Sequence, residues 1–339
     1  MNKLLILVGI ALMTINSYAQ IVNIPDANFK AALVANKKIN INQDSEIQTS
    51  EAQIFNGSIY VAFRFIENLE GIGEFVNLTG LDCSSNRQLP NLDLSKNLFL
   101  KDLNCSQCNL KDLDLSSNLD LNILNCGGNF LSNLDLSKNT KLTSLECSMS
   151  NLTALDVSKN SKLVDLSCVG SNLTTLNLDF HPDLVALTCS SNQISSLNLR
   201  LCYSLQYIQC SNNKLTSLDL SQNQSLTGLV CFGNLLTSLD VSKNKSFTYL
   251  NCIGNELPYV CINEDQIIYT SDWIKNSETE WNSNCDLTTN IVDKRFQHTP
   301  KTLTRIFTPL GQELQPNQVS EGLYIYQYSD GSIDKVMKQ

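Results

Sequence analysis

The sequence predicts a β-rich solenoid of about nine 21-residue coils, each with two short parallel strands. The first observation is an internal repeat: nine cysteines are separated once by 22 and then seven times by 21 residues. The second is that each unit reads LxxLxCSxNxLxxLDLSxNxx and so contains two leucine-rich halves. The third is that the segments between the halves are too short for a helix. The repeating cysteines are Cys83, Cys105, Cys126, Cys147, Cys168, Cys189, Cys210, Cys231 and Cys252.

The two triplets of each unit, LxC and LxL, have the period of two that is typical of strands. Their outer residues then point inward and the middle residue points to solvent. Stacked coils would give two parallel sheets, one following the cysteines and the other following the LDL triplets. A lone coil cannot bury enough apolar surface to offset the ordering of its residues, so neighbouring coils and caps must stabilise it. Corner asparagines would satisfy backbone groups, and these are Asn97, Asn118, Asn139, Asn160, Asn223 and Asn244.

The two ends of the chain differ from the repeat. Residues 1–19 have a positive residue at Lys3, an apolar run too short to span a bilayer, and small residues before a cleavage position after Ala19. They are predicted to be a secretory signal peptide. The tail, residues 288–339, loses the repeat and gains alternating apolar residues and turn signals. A small β-module or an extended tail is expected there.

Composition excludes several classes of function. The 339 residues carry a net charge of −9, which argues against nucleic-acid binding and against docking on anionic lipid. The two histidines, His181 and His298, are too few for a His-rich zinc site. Neither lies near a nucleophile fixed by the pattern, and no Gly-rich phosphate loop is evident, so the chain is predicted not to be an enzyme. A hydrolase that uses His181 is the remote alternative.

The repeat resembles leucine-rich repeat proteins, most closely the nested 21-residue class sometimes called IRREKO, over residues 78–262. IPDANFKAAL, in a helical N-terminal cap over residues 20–56, looks like the cap of secreted bacterial members, and the solenoid is placed at residues 57–262. The segment from Leu257 to Cys285 is similar to their C-terminal cap, placed at residues 263–287. The tail is similar to an abbreviated type IX secretion signal. The resemblance implies binding rather than catalysis, with export to the surface or medium of a Gram-negative bacterium.

The cysteines fall into three groups. The nine of the ladder are predicted to be small apolar core residues, with a metal wire or stacked disulfides as the alternative. Cys108 and Cys202 stand where other units carry corner asparagines, and they are predicted to be inert. Cys261 and Cys285 lie in the cap, outside the ladder, and an exported chain can oxidise them. A disulfide is predicted between these two.

Two acidic features are candidate calcium-binding sites. The outward residues of the LDL triplets form an acidic stripe, read either as a calcium site or, preferably, as a solvated face. A second candidate is the loop over residues 40–51, a degenerate calcium loop in which Asn40 and Ser45 depart from the EF-hand pattern. The stripe contains Asp93, Asp114, Asp135, Asp156, Asp219 and Asp240. The loop ligands would be Asn40, Asn42, Asp44, Glu46, Gln48 and Glu51.

An apolar and aromatic patch is predicted near the C-terminal end of the cysteine-bearing sheet. Val230, Phe232 and Ile253 occupy outward positions there, and Tyr207 and Tyr249 lie nearby. The patch is either a contact site or the seat of the C-terminal cap. The predicted function is non-catalytic binding of a protein or glycan by a monomer that does not insert into membranes. The alternative is a structural or adhesion element that calcium stiffens. No cofactor is predicted other than this calcium.

Overall fold

The computed structural model describes residues 20–285, 303–308, 312–315, 322–328 and 333–338. The predicted signal peptide lies outside the described residues. The chain divides into two compact units, Met1–Cys285 and Asp286–Gln339. In the described part of the chain, no helix has the length and apolar character that crossing a membrane requires.

The N-terminal cap contains two short helices. Helix α1, Ala27–Val34, begins after Asp26, whose carboxylate accepts the Phe29 N–H at 2.9 Å as an N-cap. The other oxygen of Asp26 accepts the Glu67 N–H at 2.7 Å, which joins the cap to the first coil. Helix α2, Thr49–Ile54, begins with a capping box between Gln48 and Glu51.

The body of the molecule is a single parallel sheet of ten three-residue strands that follow one another in chain order. Neighbouring strands pair without a shift, so the buried central residue of each strand lies beside that of the next. A 3₁₀ helix, Ile72–Glu74, lies between the first two strands. The strands are β1 Ser58–Tyr60, β2 Gly80–Asp82, β3 Asp102–Asn104, β4 Ile123–Asn125, β5 Ser144–Glu146, β6 Asp165–Ser167, β7 Ala186–Thr188, β8 Tyr207–Gln209, β9 Gly228–Val230 and β10 Tyr249–Asn251.

The β-rich solenoid and its two caps are confirmed, but the prediction of two strands per coil is wrong. The LDL segments form no second sheet in the described residues. Their hydrogen-bonding groups act locally: Asp114 accepts the Ser116 N–H at 2.9 Å, and the chain then turns as Asn118 N–H donates to Leu115 O at 3.0 Å. The Asn118 side chain supplies the bonds to the neighbouring coil, at 3.1 Å to Leu94 O and 2.9 Å to Asn97 O. Asparagine amides therefore replace a backbone ladder on this side.

Two asparagine ladders join the coils. The predicted one, here called the outer ladder, contains the buried residues Asn97, Asn118, Asn139, Asn160, Asn223 and Asn244. The second, here called the strand ladder, follows the ladder cysteines and contains Asn86, Asn129, Asn192, Asn213, Asn234 and Asn255. The two differ at the side-chain oxygen: in the strand ladder Asn234 Oδ1 accepts the Leu215 N–H at 3.0 Å, whereas the Oδ1 atoms of the outer ladder have no partner.

The corner after each strand has a left-handed residue in every coil. The residue two positions after each ladder cysteine has a φ between 52° and 70°, and Phe63 holds the same place in the first coil. Side chains larger than glycine are strained there. The column contains Ser85, Gln107, Gly128, Met149, Gly170, Ser191, Asn212, Gly233 and Gly254.

The C-terminal cap closes the apolar core with aromatic rings. Trp273 packs edge-to-face on Phe247 at 5.3 Å, and Trp281 packs on Trp273 at 5.5 Å. Strand β11, Tyr259–Cys261, pairs in parallel with β12, Glu280–Asn282, and a 3₁₀ helix, Glu264–Tyr269, lies between them. The predicted Cys261–Cys285 disulfide is confirmed, with the two Cα atoms 5.6 Å apart.

The second unit contains a four-stranded antiparallel sheet in its described residues. The strands are β13 Leu303–Phe307, β14 Glu313–Leu314, β15 Gly322–Tyr328 and β16 Ile333–Lys338. Their spatial order is β14-β13-β15-β16. The tail therefore contains a β-module, and its interpretation as a type IX secretion signal stays a prediction.

Candidate functional site

The exposed face of the sheet near its C-terminal end carries the predicted patch residues. The first residues of β8, β9 and β10 are paired in register and are Tyr207, Gly228 and Tyr249. The Tyr207 ring lies across Gly228, where an added Cβ would come within 2.9 Å of the ring. Tyr207 Oη accepts a hydrogen bond from Gln209 Nε2 at 2.8 Å, which fixes the ring. A glycine between two tyrosines therefore makes room for an ordered aromatic side chain.

The aliphatic part of the patch continues toward the cap. Val230 and Phe232 are half-buried, and Ile253 is 43% exposed. The cap residue Ile274 extends the sheet beyond β10, since it donates to Leu250 O and accepts from Cys252 N–H, both at 2.8 Å. Ile274 is 42% exposed and was not predicted to contribute.

The C-terminal cap adds to the edge of the sheet rather than lying over its face. Tyr249 keeps 39% of its surface exposed, close to the value for Ile253. Of the two alternatives for this patch, the seat of the C-terminal cap therefore does not apply to these two residues. The sheet face thus presents an apolar and aromatic surface, here called the tyrosine patch, that consists of Tyr207, Val230, Phe232, Tyr249, Ile253 and Ile274.

The aspartates of the acidic stripe accept hydrogen bonds from the turns that directly follow them. Hydrogen bonds from the serine two positions on lower the pKa of Asp93, Asp114, Asp135, Asp156 and Asp219. These carboxylates already have donors on the protein. In the described residues, one group of three potential metal ligands has its ligand atoms within 4.8 Å of one another. It consists of Asp240, Cys261 and Cys285. Its two cysteines are joined to each other by the disulfide. The interpretation of the stripe as a solvated acidic face stays a prediction.

The loop over residues 40–51 is held together by its own donors. Glu51 accepts the N–H groups of Ile41, Asn42 and Gln48 at 2.8 to 3.1 Å. Asp44 accepts the side-chain amides of Asn42 and Gln48, at 2.8 and 2.9 Å.

Asn40 and Glu46 complete the contacts within this loop. Asn40 uses its amide to donate to Val34 O and Asp44 O, and Glu46 pairs with Lys30. Protein donors therefore occupy the loop carboxylates that an EF-hand would offer to calcium, whereas Asn40 Oδ1 is buried without a hydrogen-bond partner. Calcium binding at this loop stays a prediction.

The ladder cysteines are buried in the core. All nine are free, and burial raises the pKa of Cys126 and Cys252 to about 12. A thiol with so high a pKa is a poor nucleophile and metal ligand. Their role as core residues fits the burial of every one of them.

His181 acts as a member of the outer ladder. It is 1% exposed, and its Nε2 lies 3.2 Å from Val157 O, as the asparagine amides lie near backbone oxygens in other coils. This position gives the histidine a structural role and offers no support for the hydrolase alternative.

Sequence reasoning found five of the six members of the tyrosine patch. It missed Ile274, because the pairing of a cap residue with the last strand has no repeat spacing. It also missed the role of Gly228, although the 21-residue period places residues 207, 228 and 249 in one column.

Comparison with solved structures supports the fold. The functional domain of InlJ from Listeria monocytogenes, which includes a cysteine ladder, is similar at 31% identity over 76% of this chain, with a TM-score of 0.64. This chain spans 62% of the length of that structure. An internalin, InlF, from the same species is 19% identical over 79% of this chain and 94% of its own, with a TM-score of 0.57. YopM from Yersinia enterocolitica is 25% identical over 61% of this chain and 44% of its own, with a TM-score of 0.50.

No family model matches the sequence. Searching the curated proteins gives no match either. The chain folds as a leucine-rich repeat solenoid that is similar to those of bacterial leucine-rich repeat proteins, internalins among them.

Proposed function

We propose that this chain is a non-catalytic binding protein that presents the tyrosine patch to a protein partner. It acts as an exported monomer at the surface or in the medium of a Gram-negative bacterium. The signal-peptide pattern, the tail and the Cys261–Cys285 disulfide support export, because disulfides persist in oxidising compartments.

The observation that carries the proposal is the exposure of ordered aromatic and aliphatic side chains on one rigid sheet face. Tyr249 and Ile253 are 39% and 43% exposed, and the backbone beneath them is bonded to neighbouring coils. Aromatic residues on a rigid surface lose little conformational entropy on binding and are frequent energetic centres of interfaces. Other exposed apolar residues on the sheet, such as Ile123, lack aromatic neighbours paired in register.

The experiment compares three forms of the chain as immobilised bait for surface-protein extracts. The forms are the wild type, the double variant Tyr249→Ser/Ile253→Ser and the control Ile123→Ser. Ile123 is 44% exposed and opens β4 as Tyr249 opens β10, so it matches the position and exposure of the patch residue. Each substitution should lower the free energy of unfolding by about 1–2 kcal/mol, because these side chains are only partly buried.

We expect a protein that the wild type and the control both retain and that the double variant releases. Its affinity for the double variant should fall at least tenfold, which is about 1.4 kcal/mol. A glycan array probed with the same three forms tests the other class of partner. Equal retention by all three forms, or equal loss with Ile123→Ser, would refute the assignment of the patch.

A further inference from the structure

Cys108 stands at a position of the strand ladder where most coils carry asparagine. In the next coil Asn129 donates from Nδ2 to the backbone oxygens of Cys105 and Cys126, both at 2.9 Å. Cys108 occupies the equivalent place one coil earlier, where its thiol donates to the backbone oxygen of Cys83 at 3.3 Å. The replacement brings a second sulfur beside the first cysteine of the ladder.

The two thiols also influence each other's acidity. Interaction between the two thiols raises the pKa of Cys83 and lowers the pKa of Cys108. Cys108 is the one free cysteine in the described residues whose pKa is lowered, since burial raises those of the others. A thiol with a lowered pKa is more often the thiolate, the species that attacks a disulfide.

The geometry of this pair differs from that of stacked ladder cysteines. Ladder neighbours such as Cys83 and Cys105 extend from strands in parallel register, so their Cβ atoms run side by side, which disfavours bridging. Cys108 instead lies three residues after the ladder cysteine of its own coil, and its Sγ is 3.3 Å from the backbone oxygen of Cys83. It is also the more accessible of the pair, at 5% exposure against 0% for Cys83.

We propose that Cys83 and Cys108 are a site of oxidative modification at which a small-molecule disulfide converts the two thiols into a second intrachain disulfide. Cys108 loses its proton and its sulfur attacks one sulfur of the reagent, which forms a mixed disulfide and releases one small thiol. Cys83 then attacks the Cys108 sulfur and releases the second small thiol. The two protein thiols are oxidised, the reagent is reduced, and the two thiol protons end on the released thiols. The new bond joins the second and third coils.

The test treats the native full chain with excess cystamine at mildly alkaline pH and follows the thiols over time. The chain begins with eleven free cysteines, all of them buried. We expect the number of thiols, counted after acid quenching and denaturation, to fall by two. Peptide mapping without reductant should then find Cys83 linked to Cys108.

Two matched variants separate this pair from general oxidation. Cys108→Asn restores the usual residue of the strand ladder, and Cys202→Asn does the same in the outer ladder. Cys202 is likewise buried and donates to a backbone oxygen, Leu178 O, at 3.6 Å, but burial raises its pKa to about 11. Each variant begins with one thiol fewer than the wild type, and far-UV circular dichroism checks its fold.

The Cys202→Asn chain should lose two thiols and the Cys108→Asn chain should lose none. Retention of all eleven thiols by the wild type at the end point would overturn the proposal. So would a mixed disulfide that persists on Cys108, a bridge to another cysteine, or a loss of two thiols in Cys108→Asn.

Discussion

The two asparagine ladders should differ in what each side chain contributes to stability. Asn139 of the outer ladder is 0% exposed and donates to Leu115 O at 3.1 Å and Asn118 O at 3.0 Å, while its Oδ1 has no partner. Replacement by alanine removes two hydrogen bonds and leaves buried carbonyl groups unsatisfied. At roughly 1–2 kcal/mol for each broken bond, Asn139→Ala should lower the free energy of unfolding by about 2–4 kcal/mol.

The matched substitution in the strand ladder should cost more. Asn234 donates to Cys210 O and Cys231 O, both at 3.0 Å, and its Oδ1 also accepts the Leu215 N–H at 3.0 Å. Asn234→Ala breaks three bonds, so its cost should exceed that of Asn139→Ala by about 1 kcal/mol. The exposed Asn151 is the control, and Asn151→Ala should stay within about 0.5 kcal/mol of the wild type.

The assay is equilibrium unfolding in urea, followed by circular dichroism and by tryptophan fluorescence. The tryptophans lie in the C-terminal cap, so coincident curves from the two probes establish that the unit unfolds as one. An Asn139→Ala cost below about 1 kcal/mol, or a smaller cost at Asn234 than at Asn139, would refute the reasoning from bond counts.

Three further predictions concern the corner, the cap and the acidic stripe. Met149 is 71% exposed in the left-handed corner column, so Met149→Gly should raise the free energy of unfolding by about 0.5–1 kcal/mol in urea titrations, with no change in the circular dichroism spectrum. Replacing both Cys261 and Cys285 by serine opens a bridge across 24 residues and should lower stability by about 3 kcal/mol, measured against the oxidised wild type. An unchanged midpoint would contradict that loss. Five carboxylates of the acidic stripe have lowered pKa values in the folded chain, so their contribution is present above the unfolded pKa of about 4 and disappears as the pH falls below it. They belong to Asp93, Asp114, Asp135, Asp156 and Asp219. Thermal melts across this range should show a falling melting temperature, and a rise on acidification would be contrary to it.

The cysteine period was sufficient to predict a stack of 21-residue coils, because a fixed spacing places equivalent residues at equivalent positions of a stack. It gave about nine coils, whereas the sheet has ten strands, the first in a coil that lacks a ladder cysteine. It also separated Cys261 and Cys285 from the buried ladder. It was insufficient to predict how the coils are bonded on the LDL side. A period of two shows which side chains are buried, and Leu113 and Leu115 are buried as expected. The period does not show whether the backbone N–H and C=O groups of the LDL segments pair with those of a neighbouring coil. Here asparagine side-chain amides bond to the neighbouring coil instead.

For the tyrosine patch, too, the sequence pattern predicts which side chains point outward but not whether another part of the chain covers them. The outward positions of Val230, Phe232 and Ile253 followed from the period of the strands. Their accessibility depended on the path of the cap, which no repeat describes. Trp273 donates from Nε1 to Thr248 O at 2.9 Å and packs on Phe247, so the cap is held against the end of the core and leaves the sheet face open.

The unshifted pairing of the ten strands makes the solenoid a molecular ruler. Each coil pairs with its neighbours through the same backbone register, and most coils add asparagine bonds, so a coil gained or lost by duplication or deletion changes length without altering either cap. One coil adds roughly 4.8 Å, the spacing between paired strands. The separation between the N-terminal cap and the tyrosine patch is thus counted in whole coils. Duplication or deletion of coils can therefore change the distance between the cap and the patch in steps of one coil. Neither of the two surfaces needs to change.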